Sequence, residues 1–123
     1  MATEELHYIN ALIRTLQKFS QFDSKMQVST ILTLLEIAKA EATKKSISTS
    51  EIEKNVGLLS GTSTRNIYYW GEGHQDMRGG HNLVDVGFDI NDRRRRTLTL
   101  TPKGKTFVAQ LIEGMKTDGA AKG

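Results

Sequence analysis

Four arginines in a row, Arg93, Arg94, Arg95 and Arg96, carry the strongest chemical signature in the sequence. A guanidinium presents its donors in a planar fork that matches phosphate oxygens and the major-groove edge of guanine, so such a cluster points to a polyanion. The surrounding charge agrees. Residues 1–57 hold seven basic and seven acidic side chains, whereas residues 78–123 hold nine basic and five acidic. The formal net charge of +3 is therefore gathered at one place, as a nucleic-acid contact requires. A charge run alone is weak evidence, since most such runs are merely solvated, so the elements around it decide.

Other chemistry finds little support. His7, His74 and His81 are the three histidines, and His74 and His81 with Glu72 and Asp76 offer a nitrogen and oxygen donor set. Their spacing matches no metal motif, and a glycine-rich connection is a poor rigid scaffold. Gly71, Gly73, Gly79 and Gly80 do not precede a helix at phosphate-loop spacing, so a nucleotide site is not expected. The sequence has no cysteine, which excludes disulfides, thiolate metal sites and cysteine nucleophiles. No serine, histidine and aspartate arrangement can be inferred. The expectation is a non-enzyme without metal or cofactor.

The elements that must position the arginines follow from length and periodicity. A chain of 123 residues fits one domain, expected over residues 1–117, with residues 118–123 fraying as a tail. Glu4, Glu5, Arg14 and Lys18 interrupt every early apolar run, and none approaches the ~18 apolar residues of a membrane span. A soluble, cytoplasmic protein is expected. Leu6, Ile9, Ile13, Leu16 and Phe19 recur at helical spacing, so a first helix is predicted over 3–20. A second helix, capped by Asp23 or Ser24, is predicted to bury Met26, Ile31, Leu34, Leu35, Ala38 and Ala42.

A helix-turn-helix is predicted over 48–70. Ser48 and Glu51 have capping-box spacing, Ile47 and Ile52 that of a hydrophobic staple, and Gly57 supplies a left-handed stop. A second short helix begins near Ser60. On it Ser63, Ile67 and Trp70 share one side, while Thr62, Arg65 and Tyr69 lie opposite, flanked by Gly61, Asn66 and Tyr68. Such an outward face suits a major groove, because small residues permit close approach and arginine can bond phosphate or guanine. Ser60, Thr62, Ser63, Arg65, Asn66 and Tyr69 are its candidate DNA contacts. Over 83–100, Val84, Val86, Phe88 and Ile90 alternate with polar residues as in a half-buried strand. Asn91 and Asp92 make the turn, and Thr97 to Leu100 returns. Thr101 caps a last helix over 102–116, with Pro102 at its first position and Phe107, Val108, Leu111, Ile112 and Met115 on its apolar side. The predicted order is α-α-α-turn-α-β-β-α, a mainly α fold with a β-hairpin wing (α+β): a winged helix-turn-helix.

At this point the sequence resembles the MarR family of winged-helix transcriptional regulators. Asp92, Arg94, Leu100, Thr101 and Gly104 fall in register with that family's wing, an aspartate, a spacer and an arginine before a strand that ends in Leu-Thr-x-x-Gly. Ser48 to Gly57 is similar to its first paired helix, Thr62-Ser63-Thr64-Arg65-Asn66-Ile67 to the start of its recognition helix, and Leu83-Val84 to the pair opening the wing. The segment between Ile67 and Leu83 is longer than in the common form, and that feature is similar to a bacteriophage-encoded branch.

The resemblance implies a homodimer on double-stranded DNA, with a near-palindromic site, in the nucleoid of a bacterial or bacteriophage-infected cell. It places Arg94 in the minor groove with Asp92 holding it, and the first and last helices at the dimer interface. Those helices are short, which leaves little room for a small-molecule effector pocket. Arg93, Arg95 and Arg96 are expected to supply phosphate contacts. The runner-up reading is a winged-helix protein-interaction module, such as a viral factor engaging host transcription machinery through the connection over 72–82.

Overall fold

The computed structural model describes residues 2–73 and 80–120. Its elements are α1 (Thr3–Ser20), α2 (Val28–Ala42), β1 (Ile47–Ser48), α3 (Thr49–Val56), α4 (Ser60–Trp70), β2 (Val84–Phe88), β3 (Arg96–Leu100) and α5 (Pro102–Ala120). This is the predicted winged-helix order with one addition, the two-residue strand β1. The residues group into two compact units, one of Gln27–Lys105 and one of the chain up to Met26 and from Thr106.

The Gln27–Lys105 unit holds the helix-turn-helix and the wing. The local signals at α3 form as expected. Ser48 Oγ accepts from the Glu51 amide, the Glu51 carboxylate accepts from the Ser48 amide, and Gly57 ends the helix at φ 80°. Ile47 and Ile52 are both buried beside this cap. The antiparallel sheet has the order β1-β3-β2, with Leu98 at its centre between Ile47 and Val86. Leu34, Ile37, Ile52, Ile67, Trp70 and Leu83 are buried with Val84, Leu98 and Leu100 of the sheet.

Two expectations need correction. α2 begins at Val28 behind Gln27, with no side-chain cap from Asp23 or Ser24. Its buried side is Thr30, Ile31, Thr33, Leu34, Ile37 and Ala40, so the stripe is rotated toward the threonines, whose hydroxyls find partners inside. The alternating strand is also less buried than its pattern suggests. Only Val84 is covered, while Val86, Phe88 and Ile90 are exposed, because the hairpin runs out past α2, α3 and α4 of its own unit and Ile90 already belongs to the turn.

The base of the wing explains the Leu-Thr-x-x-Gly motif. Thr101 Oγ1 donates to the Asn82 carbonyl at 2.6 Å and accepts from the Gly104 amide at 2.9 Å, capping α5. The Thr101 amide donates to the Leu83 carbonyl at 3.0 Å. The backbone of Gly104 thereby lies so close to Leu83 that a Cβ would overlap the Leu83 carbonyl oxygen.

In the other unit, Phe107 meets Phe19 and Phe22 edge-on, at centroid distances of 5.4 and 5.1 Å. Leu6, Ile9, Leu12, Ile13 and Leu16 of α1 and Ile112 and Met115 of α5 are exposed. α5 continues through Ala120, past the start of the expected tail at 118, and residues 121–123 lie outside the described residues.

Glycine to alanine in an unobstructed helix gains about 0.5–1 kcal/mol. Gly104→Ala should instead lose roughly 1–3 kcal/mol or more through overpacking against Leu83. Gly61→Ala, where a Cβ would meet nothing within 4 Å, should be neutral or stabilising. Urea denaturation of the two variants beside the parent checks the opposite signs.

Candidate nucleic-acid interface

α4 is a polar helix of 11 residues, and few of its side chains can hold it by apolar packing. Ile67 and Trp70 do so, and the rest of its inner side is polar. Asn66 Oδ1 accepts from Thr30 Oγ1 at 2.9 Å, and Asn66 Nδ2 donates to Thr33 Oγ1 at 3.3 Å. Trp70 Nε1 donates to the Thr30 carbonyl at 2.7 Å. On the α3 side, Ser63 Oγ donates to Glu53 Oε2 at 2.6 Å. Buried polar groups must be paired in this way, since an unpaired one costs about 1–3 kcal/mol.

These bonds correct two of the candidate contacts. Ser63 is 0% exposed and Asn66 6% exposed, and both face the protein interior rather than a ligand. At about 100° per residue Asn66 lies only about 40° from Trp70, inside the buried arc once the threonines of α2 are there to receive its amide. Tyr69 is half-buried, its ring edge-on to Trp70 at 5.0 Å and to His81 at 4.7 Å. Ser60, Gly61, Thr64 and Arg65 are exposed, and Thr62 and Tyr68 are half-buried. The outward side therefore centres on Gly61, Arg65 and Tyr68, with Thr64 on one flank and Thr62 on the other.

The segment after the connection returns directly onto the end of α4. The Gly80 and His81 amides donate to the Tyr69 carbonyl, the Leu83 amide to that of Trp70, and the Asn82 amide to that of Gly71. His81 is held mainly by burial, and secondarily by the Lys103 charge, below the usual imidazole pKa. It closes an aromatic cluster at the foot of α4. His74 and Asp76, of the donor set considered above, lie outside the described residues.

Between α4 and the wing runs an open cleft of about 520 Å³. Thr64 and Tyr68 line one wall, Arg94, Arg95 and Arg96 with Asp85 the other, Thr49 and Ser50 at the start of α3 close one end, and Glu72 also lines it. The candidate contacts read from the sequence did not include Thr49, Ser50, Thr64 or Tyr68, although Tyr68 was placed on the flank of the outward face. Thr64 and Tyr68 carried a signal, since they stand one helical turn apart beside Arg65.

The wing tip sorts its arginines. Asp92 Oδ1 accepts from both the Arg94 amide, at 3.0 Å, and Arg94 Nε, at 3.3 Å. It is thus a turn residue and a tether together. The Arg94 side chain remains 94% exposed. Arg93 and Arg96 are exposed. Arg95 differs: Nη1 donates to Asp89 Oδ2 at 3.1 Å, and Nη2 to Glu51 Oε1 at the start of α3. The expectation of a phosphate role does not suit a guanidinium occupied on both terminal nitrogens.

The carboxyls of this network are held below their ordinary range. For Glu51 the Ser48 hydroxyl contributes most and Arg95 adds to it, against opposing desolvation; for Asp89 the Asn91 amide leads and Arg95 assists. Depressed carboxylate values stabilise the folded state fully above the ordinary range, about pH 4.3 for glutamate, and that contribution is lost as pH falls through the folded value. Glu51→Gln should therefore flatten the acid limb of a stability–pH profile measured from pH 7 to pH 3, leaving a smaller parent–variant difference at the acid end. Asn66→Ala should cost about 1–3 kcal/mol in the same assay at neutral pH, because the Thr30 hydroxyl loses its acceptor, while Thr33 keeps its bond to the Ser29 carbonyl.

The sequence matches no protein-family model and no curated protein. Its fold is shared by solved structures, transcriptional regulators among them. The structure of RV1404 from Mycobacterium tuberculosis matches with a TM-score of 0.67 at 18% identity, over 97% of this chain and 74% of that one. Staphylococcus aureus MepR in complex with DNA matches with a TM-score of 0.64 at 19% identity, over 89% of this chain and 81% of that one. BpsR of Bordetella bronchiseptica, whose DNA binding is regulated by 6-hydroxynicotinic acid, matches with a TM-score of 0.53 at 20% identity, over 98% of this chain and 83% of that one.

Proposed function

We propose that the chain is a sequence-specific double-stranded-DNA-binding transcriptional regulator of the MarR type that acts as a homodimer. The observation that carries this reading is the cleft between the outward side of α4 and the arginine-bearing wing. Its walls present hydroxyls, a tyrosine and three guanidiniums, the groups that bond phosphate and base edges, against the two carboxylates of Glu72 and Asp85. In this reading α4 enters the major groove with Arg65 and the small residues around Gly61. Arg94 enters the neighbouring minor groove, where a narrow A·T-rich stretch concentrates negative potential. The DNA complex of MepR, which shares the fold, supports the choice of ligand.

The exposed apolar residues of α1 and α5 support the dimer, since a stripe of that kind in water favours a second copy. A two-fold pair places two recognition helices roughly 34 Å apart and requires a near-palindromic site. A regulator of this kind acts in the cytoplasm, at the nucleoid. A second reading, a protein-interaction module, is favoured by Phe88 and Ile90, 61% and 97% exposed at the wing tip.

Selection of bound duplexes from a random pool should return a near-palindrome with half-sites about one turn apart. Binding to it should weaken by at least ~100-fold between about 50 and 200 mM salt. No duplex binding at low salt would overturn the reading in favour of the interaction module. Arg94→Ala should lose about 1–3 kcal/mol of specific binding at unchanged thermal stability. Gly61→Ala, harmless to the fold, should weaken the same complex, because a methyl then stands between the α4 backbone and the groove.

A further inference from the structure

We propose that Arg95 is a positioning residue, which locks the wing against α3 in the orientation that DNA requires and does not itself touch DNA. The inference rests on the DNA-binding reading and goes beyond the tether of Arg94 by Asp92, because that tether lies wholly within the wing tip. Arg95 instead joins three segments. Asp89 follows β2, Arg95 precedes β3, and Glu51 stands in the first turn of α3. A longer bond from Nη1 to Ser46 Oγ, at 3.4 Å, adds the approach to β1.

The partner oxygen on α3 is already committed. Glu51 Oε1 accepts from the Ser48 amide at 3.1 Å and from Ser48 Oγ at 2.9 Å, closing the capping box. Arg95 therefore grips a group that cannot swing away without uncapping the helix. A hairpin that projects beyond the core has few apolar contacts to fix its angle, and Val86, Phe88 and Ile90 are exposed. A planar guanidinium with a carboxylate at each terminal nitrogen supplies that angle through directed bonds. Lysine has one nitrogen and cannot reproduce the fork. The fixed wing in turn sets where Arg94 and Arg96 stand across the cleft from Thr64 and Tyr68.

The test separates position from contact by charge arithmetic. A direct phosphate contact contributes about 0.9 to the salt slope, so its loss from both protomers would lower the slope by nearly two. Under the positioning role Arg95→Ala and Arg95→Lys bind the selected duplex at least about tenfold more weakly, with the slope of log affinity against log salt unchanged. Asp89→Asn and Glu51→Gln also bind more weakly, although each removes a negative charge close to the DNA. In the free protein, Arg95→Ala raises fast backbone motion of residues 89–95 in nitrogen-15 relaxation, while amides of α4 stay as in the parent.

A slope reduced by about two, or tighter binding by Asp89→Asn and Glu51→Gln, would show Arg95 to be a phosphate contact that the acids restrain. Parent-like affinity of both Arg95 variants would also overturn the proposal. Failure of the parent to bind any duplex refutes the DNA reading itself. The relaxation experiment then still decides whether Arg95 holds the wing.

Discussion

The placement of every outward side chain on α4 depends on one buried polar lock, formed by Asn66 with Thr30 and Thr33 and by Trp70 with the Thr30 carbonyl. A helix with so little apolar surface could turn about its axis at small cost if only dispersion held it. Hydrogen bonds do not allow that. A rotation by one residue would leave the Asn66 amide, the Thr30 hydroxyl and an indole N–H buried without partners, at about 1–3 kcal/mol each, while the Thr33 hydroxyl would keep its bond to the Ser29 carbonyl. Direction therefore comes from the polar inner side, and the apolar pair Ile67 and Trp70 supplies burial. The bond from Ser63 to Glu53 fixes the same rotation from the α3 side. With the inner arc set, Gly61, Arg65 and Tyr68 have only the solvent side left to occupy.

The wing obeys the same logic at its two ends. At the base, backbone fit is decisive: Gly104 permits α5 to start against Leu83, and Thr101 ties that start to Asn82. The end of α4 is joined to the same place, because Leu83 and Asn82 donate to the Trp70 and Gly71 carbonyls. The connection over 71–82 is thus pinned where it leaves and where it returns. Its extra length need not move the wing, since the cost of closing a loop grows only slowly with length. At the tip, where the core has run out, directed charge replaces packing.

How far the sequence disclosed this arrangement follows from the range of each interaction. The capping box of Ser48 and Glu51, the Gly57 stop, the Thr101 cap and the Asp92 turn all join residues within four positions, and all were legible. So was the register of the wing motif, although the steric reason for Gly104 was not. The misplaced residues are those whose partners lie far along the chain. Asn66 is drawn inward by residues 36 and 33 positions away, and Arg95 is taken by a glutamate 44 positions away. A helical wheel marked the inner arc by its apolar members and had no means of seeing that two threonines of α2 would make an amide welcome there. The alternation of Val84, Val86, Phe88 and Ile90 was read as burial, but period alone reports which residues share a face and not whether anything covers it.

The arginine run shows how the same limit bears on function. Counted from composition, it is four like charges, which would repel one another and aim nowhere. The folded tip interleaves them with acids. Asp89 and Glu51 take both terminal nitrogens of Arg95, and Asp92 engages Arg94 at Nε, which bears one of its five N–H donors. Local repulsion falls, and the cationic surface that remains is Arg93, Arg94 and Arg96. Its sign is still positive, and at Arg94 the bond from Nε to Asp92 restricts the direction in which that charge is held. A groove-reading arginine loses less entropy on binding when its backbone and its Nε are already held. In the proposed reading the acids next to the run therefore add to the function of the arginines, where a charge count would have set them against it.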